Sequence, residues 1–306
     1  MNRKIHTIGE TVYDIIFENG EIVSGKAGGS MPNASVSLGR VGCDVSLITE
    51  LGNDDLGKTI MGFLAENHVD TSFVNQFDDG NTPVALAFLD KDKNASYTFY
   101  KQYPEKRLQK SFPKIQKDDI VLFGSFFGVN PEVRSRVKEF VASAKAAGAA
   151  IIYDPNIRHP KDHGIEKIIP AVLENFAASD IIRASHEDFN NLFGIDDPKE
   201  AFRLIREHSG VSLIYTHAAD FVYVATDNFR KKFPVPKIEV VSTIGAGDNF
   251  NAGIIYSLMK NQISGKALRQ LDEGNWKSIV ASGIRFSAAV CQSWENYVPA
   301  GFLSGE

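Results

Sequence analysis

Val241-Ser242-Thr243-Ile244-Gly245-Ala246-Gly247-Asp248-Asn249-Phe250 is the stretch on which the reading of the whole chain turns. Two glycines flank an alanine, one carboxylate follows, and an apolar, helix-compatible run continues to about Met259. A helix opening at Ala246 or Gly247 directs several backbone N–H groups without intrahelical partners at one point, and such a point binds anions. Asp248 then lies in the first turn, within reach of whatever the amides hold. That position suits a base for a hydroxyl attacking a phosphate better than it suits a further phosphate ligand. An isolated Gly-x-Gly-Asp is equally an ordinary strand-to-helix turn whose acid favours the helix dipole. The surroundings decide.

Upstream, apolar runs alternate with amphipathic ones. Strands are expected at Ile120 to Phe123, Ala150 to Tyr153, Ile181 to Arg183 and Ser212 to Thr216. Helices are expected at Pro131 to Ala147, Glu187 to Phe193 and Lys199 to His208, with a hairpin at Phe221 to Val235 and a last long helix at Trp276 to Cys291. Strand–helix alternation of this kind specifies an α/β fold with a doubly wound, mostly parallel sheet. The first third departs from it. Val12 to Phe17 and Glu21 to Ser24 flank Asn19-Gly20, a strong hairpin signal, and Pro83 to Leu89 pairs in the same way with Ala95 to Lys101. Two hairpins in an α/β chain imply a small second sheet. The economical organisation is a single domain over 1–306 with a β lid drawn from about 11–26 and 82–102.

Composition narrows the class. With 43% hydrophobic and 23% charged residues the chain is globular, and a net charge of −5 without a basic run gives no reason to expect nucleic acid or an anionic membrane as partner. Met1 to Gly9 lacks a signal h-region and no long apolar stretch follows, so a cytoplasmic location is expected. Cys43 and Cys291 form neither a disulfide framework nor a metal cluster, and none of the seven histidines has metal-ligand spacing.

A second glycine loop competes with the first. Gly52-Asn53-Asp54-Asp55-Leu56-Gly57-Lys58-Thr59 satisfies the Walker A pattern, follows an expected strand and precedes a helix, and Ala150 to Asp154 offers a Walker B run. Asp54 and Asp55, however, would place two carboxylates in a cradle meant for polyphosphate, where like charges about 4 Å apart repel by several kcal/mol. Turn geometry at a polar strand end accounts better for Gly52 and Gly57.

With these residues in place, the chain resembles the PfkB, or ribokinase-like, carbohydrate kinases almost end to end. One signature is Gly28-Gly29-Ser30-Met31-Pro32-Asn33-Ala34-Ser35 with Gly42 and Gly52; the other is Ser242 to Asp248 continuing to Ala252-Gly253. Asp154-Pro155-Asn156-x-Arg158 is similar to bacterial fructokinase-type members. The resemblance implies a Rossmann-like core with a β lid over the sugar, ATP and Mg²⁺ as cofactors, and a monovalent cation as a further ligand. It implies Asp248 as base and the Gly245, Ala246 and Gly247 backbone as anion hole. Asp14, Gly28, Gly29 and Asn33 would then hold the sugar, and Thr216, Ala218, Thr243, Gly245, Gly247 and Ser282 the nucleotide. Tyr97 and Phe99 would line the sugar pocket from the lid, although a strand face of aromatics is also ordinary packing. Arg158 would meet a phosphate or pair with a surface carboxylate.

Four departures stand against the family pattern. Ser242 replaces a frequent Asp and Met31 a small residue. Ser185-His186-Glu187-Asp188 replaces Asn-x-x-Glu, leaving Asp188 as the candidate metal ligand, and Thr216-His217-Ala218-Ala219-Asp220-Phe221 replaces a glycine-bearing nucleotide loop. The expected activity is ATP-dependent phosphorylation of a sugar hydroxyl, of fructokinase type. Ribose, a 2-keto-3-deoxy sugar acid or a nucleoside are the alternative acceptors on this scaffold, Lys101, Lys106 and Arg107 leaving room for an acid. A non-catalytic sugar or nucleotide sensor and a P-loop NTPase at Gly52 to Thr59 are the readings of another class. An open lid edge suggests a homodimer through the lid.

Overall fold

The computed structural model describes residues 3–91, 95–157, 164–208 and 212–304. The chain forms two compact units, the first from Met1–Pro113, Ile238–Tyr256 and Ser282–Glu306, the second from Lys114–Lys237 and Ser257–Ala281.

In the first unit β1 (Ile5–Ile8) leads into β2 (Val12–Glu18) and β3 (Glu21–Gly28). α1 (Ser30–Arg40), β4 (Val45–Gly52) and α2 (Asp55–Glu66) follow. Two short strands, β5 (Val69–Asp70) and β6 (Val74–Phe77), precede β7 (Asn81–Leu89) and β8 (Ala95–Gln102). β1 runs parallel to β4, which also pairs in parallel with β5 and β6. The expected hairpins both form. Asn19 and Gly20 take φ of 52° and 87°, the doubly left-handed turn that Asn-Gly supports without strain. β2 and β7 then pair in parallel, so the two hairpins join as one four-stranded sheet in the order β3-β2-β7-β8.

This small sheet has a distinct inner face. Lys26, Asp14, Ala85 and Phe99 are register partners across the four strands, and Ile16, Ala87 and Tyr97 form the next row on the same side. That second row closes on Ile244, directly before Gly245, burying Ile16 and Ala87.

In the second unit β9 (Ile120–Gly124), α3 (Arg134–Ala147), β10 (Ala150–Asp154), α4 (Ile165–Ala178) and β11 (Ile181–Ser185) alternate. α5 (His186–Phe193), α6 (Pro198–His208) and β12 (Ser212–His217) continue the pattern, and β13 (Phe221–Ala225) with β14 (Arg230–Pro234) completes the expected hairpin. β9 to β12 are parallel; β13 and β14 are antiparallel. Ile120 to Phe123 are fully buried, as strands covered on both faces must be, each contributing about 1.5–3 kcal/mol of transfer free energy. α4 was not expected from sequence, because Pro170 lies inside it and removes one backbone donor. α7 (Ala246–Lys260) and α8 (Glu273–Cys291) complete the chain's regular elements.

Candidate active site

The first turn of α7 is gripped by the first turn of α1. Asp248, 8% exposed, accepts hydrogen bonds from Ser30 Oγ (2.5 Å) at Oδ1 and from Asn33 Nδ2 (2.8 Å) at Oδ2. These donors are in position because Gly29 opens α1 at φ 108°, where a β-carbon would lie 2.4 Å from the Glu10 carbonyl oxygen. α1 itself is buried from Met31 to Gly39; Ser35 Oγ donates within the helix to Met31 O, and Ser37 Oγ donates across to Asn249 Oδ1. Met31 fits despite its bulk because its neighbour is Gly9, whose β-carbon would fall 2.3 Å from Met31 Cγ.

Asp14 stands beside this pair of turns. Its carboxylate lies against Gly28, where a β-carbon would come within 1.8 Å of Asp14 Oδ2, so only glycine leaves room for it. Asn296 Nδ2 donates to the same oxygen at 3.1 Å. Burial, and then the nearby charge of Asp248, push the Asp14 carboxyl up to about 7, against the opposing pull of Asn296 and Lys26.

Asn296 also fixes the glycine turn. Gly245 takes φ 78°, and a β-carbon there would lie 2.7 Å from Asn296 O. Asn249 Nδ2 donates to that carbonyl (2.7 Å) and to Gly245 O (2.8 Å). Ser242, in the place of the frequent Asp, accepts from Ile244 N through Oγ and does a turn-capping acid's work. Asn33 Oδ1 and Asn296 Oδ1 are buried with no hydrogen-bond partner among the described residues, so two acceptors stand beside two carboxylates. The sequence reading reached Asp14, Gly28, Gly29, Asn33 and Gly245 to Asp248, which the fold gathers in one unit. It missed Asn249, next to Asp248 and fully buried, and Asn296, whose 282-residue separation from Asp14 leaves no local signal.

The sequence profile of the pfkB family carbohydrate kinases matches residues 2–295. The chain belongs to the PfkB family. It is 28% identical over 280 residues to probable fructokinase-5 of Arabidopsis thaliana, covering 89% of this chain and 84% of that protein. It is 25% identical over 260 residues to the aminoimidazole riboside kinase of Salmonella typhimurium, covering 84% of this chain and 81% of that one. Among solved structures, a fructokinase from Vibrio cholerae with fructose, ADP and calcium bound superposes with a TM-score of 0.82 at 20% identity, covering 99% and 98% of the two chains. The mostly parallel sheet with a separate small sheet is therefore the ribokinase-like fold.

The remaining expected residues of this PfkB chain divide between the two units. Tyr97 and Phe99 stack at 5.8 Å on the inner face of the small sheet, Tyr97 partly buried against Ile16, Ala87 and Ile244, Phe99 45% exposed. Thr243 is exposed in the glycine turn and accepts from Ala246 N. Ser282 donates to Gly253 O at 2.7 Å; it joins α8 to α7 where Gly253 permits a close crossing, which gives its hydroxyl a packing role. In the second unit, Thr216 is the penultimate residue of β12 and its Oγ1 accepts from Arg183, which also pairs with the buried Asp154 at 2.9 Å. Ala218 holds φ 41°, so the left-handed backbone survives without glycine. Asp188 Oδ2 accepts from Ser185 N (2.8 Å) and Oγ (2.7 Å), completing the capping box in which Ser185 is the N-cap of α5. Arg158 lies outside the described residues.

The Walker-like loop is accounted for as well. Asp54 caps α2 and its carboxylate takes Gly57 N (2.7 Å), Thr82 N (2.7 Å) and Thr82 Oγ1 (2.8 Å). Burial alone would raise this carboxyl, but the donors at Thr82 and Gly57 hold it below the usual range. A protein carboxylate thus fills the place where a P-loop puts phosphate, and Lys58 points outward beside Asp55.

Proposed function

We propose that this PfkB kinase transfers the γ-phosphoryl group of ATP to a hydroxyl of an uncharged sugar, with fructose as the leading acceptor. The observation that carries the reading is the buried cluster of Asp14, Asp248, Asn33 and Asn296 beside the Gly245 turn: two hydrogen-bonded carboxylates, with the Asn33 and Asn296 Oδ1 atoms lacking partners among the described residues. Sugar hydroxyls are donors as well as acceptors, and such a set of acceptors suits them. Asp14 and Asn33 orient the sugar, with the Phe99 ring beside it on the small sheet's inner face. Asp248 takes the proton of the attacking hydroxyl as its oxygen bonds to the γ-phosphorus, and the bond from that phosphorus to the ADP oxygen breaks. The first turn of α7, a fifteen-residue helix, faces the transferring group and favours its negative charge.

ATP supplies the phosphoryl group when bound, and the Gly245 to Gly247 backbone is proposed to hold its terminal phosphate; Thr216 and Ala218 are proposed as nucleotide contacts of the second unit. For Mg²⁺ the fit is different. The described residues contain no cluster of three His, Cys, Asp or Glu, and the Asp188 carboxylate is engaged with Ser185 in the capping box of α5. Magnesium is proposed to be carried mainly by nucleotide phosphates and water. Repeating the assay with potassium and with choline measures monovalent-cation dependence. A homodimer through the small sheet is proposed from its outer face, where Ile22, Phe88 and Tyr100 are 64%, 42% and 61% exposed. Light scattering that reports a monomer at working concentration would count against it. Among the described residues no helix is long and apolar enough to cross a membrane, and we place the reaction in the cytoplasm.

The test is ATP consumption over fructose, ribose, 2-keto-3-deoxygluconate and adenosine with wild type and Asp248→Asn. Fructose should be turned over by the wild type. The variant should lose about two or more orders of magnitude in kcat while fructose binding, read by calorimetry, persists. Unaltered turnover in Asp248→Asn would sink the assignment, and binding without turnover of any acceptor by the wild type would favour a sensor.

A further inference from the structure

The inner face of the small sheet carries two lysines, and each is already engaged. Lys26, in the row of Asp14, donates to Trp294 O and pairs with Glu295 at 3.3 Å. Lys101 follows Tyr97 and Phe99 at alternate positions of β8, with its ammonium 4.4 Å from the Phe99 ring centroid. That ammonium is drawn to Glu10 Oε2 at 2.6 Å, and the second oxygen of Glu10 accepts from Tyr103 Oη at 2.7 Å. Glu10 is held in turn by the fold of the site, since its carbonyl is the atom that requires glycine at position 29. Arg107 is also committed. It stacks on Tyr103 at 3.4 Å, and its Nε donates to the buried Glu50 at 2.6 Å. Lys106 lies elsewhere, in a surface hollow with Asp78, Asp79 and Glu105.

We infer that Glu10 determines the charge of the acceptor: by holding Lys101, it withholds from the sugar face the ammonium that a carboxylate or phosphate would need, and so selects uncharged sugars. A carboxylated or phosphorylated sugar placed there meets the Asp14 and Asp248 carboxylates, while Lys101 is held by Glu10 and Lys26, whose charge reaches Asp14, is paired with Glu295. This rests on the sugar-kinase reading and adds to it the class of acceptor and the residue that sets it. Specificity of this kind comes from the repulsive element as much as from the attractive one. Glu10 acts through Lys101 and is a positioning residue. The Glu10 and Lys101 side chains are 21% and 27% exposed, near enough to solvent for Lys101 to turn to a ligand anion once released.

The experiment measures kcat/KM for fructose and for 2-keto-3-deoxygluconate with wild type, Glu10→Gln and Glu10→Gln/Lys101→Met. The ratio of acid to neutral sugar should rise about tenfold in Glu10→Gln, mainly through KM for the acid, and return to the wild-type ratio in the double variant. An unchanged ratio in folded Glu10→Gln, with fructose still turned over, overturns the inference while leaving the kinase reading intact. Wild type inactive on both sugars fails the kinase reading instead. If Glu10→Gln does not fold, Glu10→Ala removes the same charge and should raise the ratio by about as much; an unchanged ratio there overturns the inference equally.

Discussion

Asp14→Asn should make the protein more stable and less active, and the gain should depend on pH. Asp14 is pushed up to about 7 from an ordinary 3.8, chiefly by burial and then by Asp248. At about 1.4 kcal/mol per tenfold change in proton affinity, the ionised carboxylate costs the folded state on the order of 4 kcal/mol. The sign follows from which state holds the proton. Below about pH 4 Asp14 is protonated folded and unfolded alike, and no cost exists. Between there and about 7 the unfolded chain releases a proton that the folded chain keeps, so stability falls as pH rises. Above 7 the cost is complete. Asparagine keeps the shape beside Gly28 and can still accept from Asn296, but carries no charge. Urea unfolding of both proteins at several pH values between about 5 and 8.5, extrapolated to water, gives the difference directly. It should grow with pH and approach a few kcal/mol in favour of Asp14→Asn, while KM for fructose rises sharply. Other buried acids such as Glu50 and Asp180 also titrate high, but they are common to both proteins and cancel in the difference. A difference that is flat across this range, or a less stable variant at alkaline pH, refutes the argument.

The remaining predictions concern the two loops that depart from their nearest patterns. Lys58→Ala should leave kinase activity within about twofold, because Lys58 is 63% exposed and Asp54 occupies the amides of that loop; complete loss in a coupled ATPase assay would reopen the P-loop reading. Ala218→Gly should raise stability by roughly 1 kcal/mol in thermal unfolding, by relieving a left-handed alanine at φ 41°, with no increase in KM for ATP. A lowered melting temperature would show that the backbone there carries no strain.

Much of the fold was legible because its signals are local. The Asn19-Gly20 turn needs two left-handed residues, and β9 to β12 are apolar runs whose burial on both faces leaves no polar alternation. α4 was hidden by Pro170, and β5 and β6 are two and four residues long, too short to carry a period. At the site, Asp248 and the glycines could be read from spacing, whereas Asn296 and the Glu10 contacts to Lys101 and Tyr103 depend on residues brought together by the fold. Repulsion between Asp54 and a polyphosphate argues against a P-loop, yet the stronger reason is that the Asp54 carboxylate itself takes the donors.

The glycines of the two signatures suggest flexibility when read one at a time, and the structure gives them the opposite role. Gly28 leaves space for Asp14 Oδ2, Gly29 for the Glu10 carbonyl and Gly245 for the Asn296 carbonyl, each with an approach that a β-carbon would close. Every one of those polar atoms belongs to a residue that touches or flanks the buried acid pair. The glycines therefore serve proximity, letting two carboxylates and their amide supports pack closer than ordinary side chains permit. Burial is what chiefly raises Asp14, and the closeness of the Asp248 charge adds to it. A site that must bring an acceptor hydroxyl, its base and a phosphate to one point accepts that destabilisation, and the buried α1 and the Asn249 contacts to Gly245 and Asn296 offset it by holding the cluster rigid.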